Sequence, residues 1–514
     1  MTLEQKIGQL FLVSFEGTSL TPEVQSHFEA CNFGNYIYFA RNLTDYKSIR
    51  RLSDDLQRTA VEISGLPAFI SIDQEGGMVA RAYSGATHFP SAMSLTAADA
   101  LPFMETIGTY VGRELRALGI NINHAPVADV NNNPGNPVIG TRSFSDDPKV
   151  VAKMVNAYVK GLQSAGVIAN AKHFPGHGDT YIDSHLALPM IEHDLDRLER
   201  IELFPFIQAI SAGIDSIMTA HIIFKAIDHR RPATLSSEVL DGMLRRKLGF
   251  EGLIVTDSMS MEAIGKHFTT ERGCVMAVAA GADLLCIAAG AEVQARCYNA
   301  VLAAVKSGEI PLERIDEAIN RIQLYKNKYN IQTPEPLEFY EEHERLADEM
   351  SRKSLTLVKS GLFPLDGKKF FTISTPPFRA NIADDTLVKL VTLAEKLGKA
   401  SGNAFAEIPV NPGETDISKI MEVTADYEVI VFASYNAGQF TSQIKLFNTL
   451  KDAGKKILLV TLRSPYDFML MPDADACLAA YEYTNRSVNH VTDAILGKFT
   501  PTGKLPVMLK NERR

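Results

Sequence analysis

Short apolar runs recur over roughly the first 300 residues, each closed by a polar loop and followed by a segment whose apolar positions repeat at helical spacing. The runs fall at residues 10–15, 36–40, 68–72, 122–127, 167–171, 216–220, 253–255 and 283–287. The helix-period segments between them cover 44–62, 101–118, 148–164, 195–212, 237–246, 261–280 and 291–307. Strands that alternate with crossover helices build a parallel sheet, and a set of eight favours a closed (β/α)8 TIM-type barrel over an open one.

A Pro-containing, acidic stretch from 332 to 344 (Q-T-P-E-P-L-E-F-Y-E-E-H-E) breaks the pattern. Beyond it the alternation resumes, with apolar runs at 355–358, 370–373, 429–433, 457–462 and 477–481 and helices at 418–426, 441–453 and 487–496. The division expected is a catalytic barrel over 1–331, a linker over 332–350 and a smaller α/β sandwich over 351–514. No G-x-G-x-x-G opens a helix in the sandwich, so it is assigned no nucleotide, and no cofactor is expected anywhere in the chain.

Composition narrows the partners. With 514 residues, 46% hydrophobic and 22% charged, the chain is long enough for two cores. A net charge of -9 argues against nucleic acid or an anionic membrane surface, which call for a basic face. The five cysteines are scattered and in no C-x-x-C spacing. They read as reduced thiols, and with a start (M-T-L-E-Q-K) that has no signal pattern they point to the cytoplasm. The absence of Trp counts mildly against a sugar-stacking cleft, although Tyr and Phe can serve. Oligomeric state is not legible.

Candidate chemistry clusters where a barrel places it, after the strands. Asp73-Gln74-Glu75-Gly76-Gly77 follows the third, residues 128–142 the fourth, Ala220-His221 the sixth and Thr256-Asp257-Ser258 the seventh. After the fifth comes the densest stretch, A-K-H-F-P-G-H-G-D-T-Y-I-D-S-H-L-A-L-P over 171–189, which Pro175, Gly176 and Gly178 keep from being helical. Strand C-termini share one face, so these loops converge. Within the stretch, an Asp183 held against His185 fixes the ring tautomer and lets it give and take a proton near neutral pH. Asp257 reads either as a nucleophile aimed into the barrel mouth or as the N-cap of the next helix. A metal site of His173, His177, Asp179 and His185 competes, but Pro175-Gly176 blocks the i, i+4 geometry and no H-x-H follows the first strand. No metal is assigned.

Lys172-His173-Phe174-Pro175-Gly176-His177-Gly178-Asp179-Thr180, Asp183-Ser184-His185 and Leu188-Pro189 resemble the signature of family 3 glycoside hydrolases in their β-N-acetylglucosaminidase branch. The resemblance extends to Asp73–Gly77, to Gly140-Thr141-Arg142-Ser143-Phe144, to Thr256–Met261 and to the terminal Pro-Thr-Gly-Lys-Leu-Pro. It implies a barrel with an added α/β sandwich. The implied activity is retaining, two-step hydrolysis of terminal β-linked N-acetylglucosamine from chitooligosaccharides or muropeptide fragments. By the same resemblance Asp257 is the nucleophile and His185, partnered by Asp183, the acid/base. Asp73, Arg81, Arg142, Lys172 and His173 are the sugar ligands. Met78 stands where many relatives carry Arg. Phosphorolysis is the alternative within the family, because a His acid/base lets an anionic acceptor approach. From other classes stand a metal-dependent barrel hydrolase and a sugar-binding protein without catalysis.

Overall fold

The computed structural model describes residues 1–181, 188–331, 340–379, 383–384 and 390–509. All eight runs of the first region form strands: β1 Phe11–Val13, β2 Asn35–Tyr38, β3 Phe69–Ile72, β4 Ile122–Asn123, β5 Ile168–Phe174, β6 Ser216–Thr219, β7 Leu253–Thr256 and β8 Leu285–Ile287. They pair in the order β7-β6-β5-β4-β3-β2-β1-β8, and a parallel bridge between Val255 and Leu284 brings the two ends together into a (β/α)8 barrel. Every one of these strands is buried along its length. Helices outside and side chains inside cover both faces, which is why the sequence shows continuous apolar runs rather than alternation.

The helices follow from local chemistry. Pro148–Ser164 starts where Asp147 accepts from the Lys149 amide and Pro148 takes the first turn. It buries Val151, Val155, Tyr158, Val159 and Leu162, one stripe at helical spacing. Two expected helices are each two. The segment 195–212 divides into Leu195–Arg200 and Phe204–Ser211, with Pro205 in the first turn of the second piece. The segment 261–280 divides at Thr269, whose φ of +61° leaves the helical region and whose side chain caps Thr270–Ala280. An apolar stripe that carries on through a break hides it from periodicity.

The second sheet contains β9 Thr356–Lys359, β10 Phe371–Ser374, β11 Phe405–Glu407, β12 Val429–Ser434, β13 Lys456–Thr461 and β14 Ala476–Ala479. Its order is β9-β14-β13-β12-β10-β11, parallel except for β9. The chain steps outward from β10 to β11 and then returns to the other side of β10 as β12. The carboxyl ends of β10 and β12 therefore flank a topological switch point.

Residues 332–339 lie outside the described residues, and a helix, Glu341–Ser354, fills the rest of the span read as a linker. Its His343 ring stacks on Tyr110 of the barrel at 3.8 Å, and Nδ1 lies 2.6 Å from Glu114. The barrel and the second sheet also share apolar cores. Met78 is buried with Leu355 and Leu365, and Met93 and Ala97 with Phe371 and Ile373.

Candidate active site

Asp73 leaves the end of β3, and a short hairpin (Gln74–Gly76 with Val79–Ala80) turns the chain back over the barrel mouth. Gly76 and Gly77 make that turn at φ +100° and +57°, where a Cβ would stand 2.7 Å from the Pro90 carbonyl oxygen and 2.5 Å from Ser91 Cβ. The tight turn sets Glu75 beside Asp73. Lys172, on β5, then reaches both: its Nζ is 2.7 Å from Asp73 Oδ1 and 2.6 Å from Glu75 Oε1. Arg142 meets Glu75 fork to fork, Nη2 to Oε1 at 2.8 Å and Nε to Oε2 at 2.9 Å. Arg81 stands further off, with Nη2 3.7 Å from Asp73 Oδ2.

Lys172 and Arg142 are buried, Asp73, Glu75 and Arg81 largely so, and the carboxyls and the ammonium keep their charge. Burial alone raises a carboxyl pKa, but Lys172 and Arg81 outweigh it and hold Asp73 well below the usual range. Glu75 is likewise desolvated, yet Arg142 and Lys172 bring it down to about 2. Burial works against the Lys172 ammonium, and Asp73 and Glu75 more than restore it, so its pKa is raised. Two cations offset two carboxylates, and the cluster is set to hydrogen-bond hydroxyls as both donor and acceptor.

Asp129, buried after β4, organises the start of the next loop. Its Oδ1 accepts from the backbone amides of His173 at 3.1 Å and His177 at 2.7 Å, and its Oδ2 lies 2.7 Å from His173 Nδ1. Nδ1 therefore carries the proton, which leaves His173 Nε2 for the cavity. Gly178 presses against this bed so closely that a Cβ would meet the Val130 carbonyl oxygen at 1.7 Å.

Asp73, Arg81, Arg142, Lys172, His173 and Asp257 all line one cavity of about 580 Å³. Asp257 follows β7, and its Oδ1 accepts from the Ser258 amide at 2.7 Å. The next helix begins at Glu262 with Met261 in the N-cap position, so Asp257 does not cap it. Asp183 and His185 lie outside the described residues. The described members of the set weighed for a metal take separate partners. His173 Nδ1 goes to Asp129, His177 Nδ1 to Thr180 Oγ1 at 2.9 Å, and Asp179 Oδ2 to His193 Nε2 at 2.6 Å.

Several cavity residues carry no sequence signal of their own. Glu75 sits inside the D-Q-E-G-G motif, two residues from the Asp73 that the motif marks. His124, at the end of β4, is fully buried, and burial lowers its pKa to about 4, so it is neutral at pH 7. Arg379, Ala383 and Asp384 reach the cavity from the chain that follows β10, and no motif marks them.

Residues 2–324 match the family model of the glycosyl hydrolase family 3 N-terminal domain. The chain belongs to glycosyl hydrolase family 3. It is thus a glycoside hydrolase by descent, and carbohydrate is the substrate class of the family. Beta-hexosaminidase A of Pseudoalteromonas piscicida is 32% identical across 99% of this chain and 98% of its own. A beta-hexosaminidase of Nitrosomonas eutropha is 34% identical over 55% of this chain and 80% of its own length. The structure of a glycoside hydrolase family 3 beta-N-acetylglucosaminidase from Paenibacillus sp. str. FPU-7 superposes with a TM-score of 0.93 at 38% identity, covering 99% of both chains. Among the described residues no helix is long and apolar enough to cross a membrane.

Proposed function

We propose that this family 3 hydrolase is a retaining exo-β-N-acetylglucosaminidase that removes terminal GlcNAc from chitooligosaccharides or muropeptide fragments. The observation that carries the reading is the cavity. The carboxylate of Asp257 shares it with the pre-charged Asp73–Lys172–Glu75–Arg142 cluster, one group for bond making and four for holding a polyhydroxylated ring. Two relatives matching nearly the whole chain at over 30% identity, a beta-hexosaminidase and a beta-N-acetylglucosaminidase, supply the sugar, and neither is named a phosphorylase.

In this mechanism Asp73, Glu75, Lys172 and Arg142 fix the sugar hydroxyls, with Arg81 and His173 beside them. Binding then presents the anomeric carbon to Asp257. The ionised Asp257 attacks as the glycosidic bond breaks, and the departing oxygen takes a proton from His185, oriented by Asp183. A covalent glycosyl-enzyme results. His185 next deprotonates a water, which attacks the anomeric carbon and releases Asp257, with retention of configuration. A second carboxylate in the acid/base role would repel Asp257, and a histidine does not. We assign this chemistry to a barrel spanning 1–331 and treat 351–514 as a separate domain. The five cysteines, all buried and unpaired, support action in the reducing cytoplasm.

The deciding experiment is turnover of 4-nitrophenyl β-N-acetylglucosaminide with and without phosphate. Free GlcNAc at a phosphate-independent rate is expected; GlcNAc-1-phosphate would overturn the hydrolytic reading. Rates on chitobiose against GlcNAc-anhydroMurNAc then rank the natural substrates.

A further inference from the structure

The second domain holds a buried ion pair that the chemistry above does not use. Arg463 follows β13, and its Nη1 and Nη2 donate to Asp384 Oδ2 at 2.5 Å and Oδ1 at 2.8 Å, with side chains only 4% and 0% exposed. Arg463 Nη1 also donates to the Tyr435 hydroxyl at 3.1 Å, and that hydroxyl donates to the Phe378 carbonyl at 2.7 Å. Tyr435 follows β12 and Phe378 lies beyond β10, so this grip sits at the switch point, where doubly wound sheets ordinarily seat a ligand. Here the arginine fork is filled by a carboxylate of the chain itself.

The pair is an expensive way to gain stability, because two charges are taken out of water and an apolar pair of similar volume does as well. A bidentate guanidinium–carboxylate contact instead fixes position and angle. What it fixes lies one residue away. The Ala383 carbonyl accepts from Arg81 Nη1 at 2.9 Å, and the same guanidinium faces Asp73 across 3.7 Å. Arg81, Ala383 and Asp384 all line the cavity that holds Asp257.

We propose that Arg463 and Asp384 are positioning residues for glycoside cleavage: their pair sets the Ala383 carbonyl against Arg81, and Arg81 in turn sets Asp73 for the sugar. The second domain is then part of the substrate site rather than a stabilising appendage. This rests on reading the cavity as the sugar site.

The test uses the full chain and 4-nitrophenyl β-N-acetylglucosaminide at pH 7, comparing Asp384→Asn, Arg463→Lys and Arg81→Gln singly and each second-domain variant combined with Arg81→Gln. Misplacing a binding group by a fraction of an ångström predicts a ~10-fold or larger fall in kcat/KM for Asp384→Asn and Arg463→Lys, chiefly through KM. In the Arg81→Gln background neither change lowers kcat/KM further, since the route to Asp73 is already cut. Thermal unfolding of each variant separates this from loss of fold. If Arg463→Lys does not fold, Asp384→Asn, which keeps the shape of the side chain, decides. A kcat/KM within twofold of wild type, or losses that multiply in the Arg81→Gln background, would overturn the proposal. The wild-type rate tests the function itself and the ratio of variant to wild type tests the positioning role, so the two can fail separately.

Discussion

At the barrel mouth Asp73 and Glu75 are largely buried and held below the usual carboxyl range by neighbouring cations, Asp73 by Lys172 and Arg81 and Glu75 by Arg142 and Lys172. In the second domain Asp467 and Glu482 are buried more completely, and their partners are hydroxyls and backbone amides. Asp467 accepts from Ser434 Oγ at 2.7 Å and the Ala437 amide at 2.9 Å, Glu482 from the Ser91 amide at 2.7 Å and Thr484 Oγ1 at 3.1 Å. Burial dominates there and pushes both carboxyls up, Asp467 to about 6. The same cost of desolvation is met by opposite charge in the cluster proposed to hold the sugar, and by neutral donors where loops are joined. Arg463 with Asp384 is a second-domain pair built in the barrel's manner, and its Asp384 lines the cavity.

The contrast can be broken most severely at Lys172. Lys172→Met leaves Asp73 and Glu75 side by side in a buried site with less counter-charge. We expect a loss of about 3–5 kcal/mol in denaturant unfolding and a ~10³-fold fall in kcat/KM; retention of either near wild type would refute the role given to the cluster. Glu75→Gln keeps the shape and removes one charge. The depressed pKa of Glu75, from 4.5 to about 2, corresponds to roughly 3 kcal/mol of stability. Because the folded-state pKa is the lower one, that contribution is complete above pH ~4.5 and is lost as pH falls through about 2. The stability gap between variant and wild type, followed by acid titration, should therefore be full at pH 7 and close by about pH 2.

Asp467 has the opposite sign. Its folded pKa is the higher, so its contribution is greatest below the unfolded value of 3.8 and declines as pH rises through about 6. Asp467→Asn should flatten that slope and gain about 1–2 kcal/mol above pH 6, somewhat less than the shift implies because the amide accepts more weakly from Ala437. A destabilised variant at pH 7.5 would show that the carboxylate is needed as a charge after all. The smallest effect concerns metal, which would be a third way to hold carboxyls together. Asp179, His193 and Glu202 have ligand atoms within 4.8 Å of one another. A chelator is expected to leave turnover unchanged, and loss of activity that zinc or calcium restores would contradict this.

How much of this was legible depended on the range of the interaction. The eight barrel strands show in the sequence because each is a short run with both faces buried. β11 does not, since its residues 405–407 form an edge strand with no buried side chain. Asp73, Arg142, Lys172 and Asp257 were legible because the resemblance marks them after strands that point to one face. Their mutual pairing was not, because Asp73 and Lys172 are 99 residues apart and Glu75 and Arg142 67. Asp384 and Arg463, 79 apart, belong to no motif, and only the return of the chain across β10 brings them together. From the sequence Asp257 reads equally as a cap, and only the start of the helix at Glu262 separates the two.

The proposed covalent bond between Asp257 and the anomeric carbon of N-acetylglucosamine can be trapped with a 5-fluoro N-acetylglucosaminyl fluoride and read by mass spectrometry of the digested protein. One added fluorosugar is expected on the peptide carrying Asp257, and none in Asp257→Ala. An adduct on a different residue, or turnover of the reagent by Asp257→Ala at the wild-type rate, would contradict it.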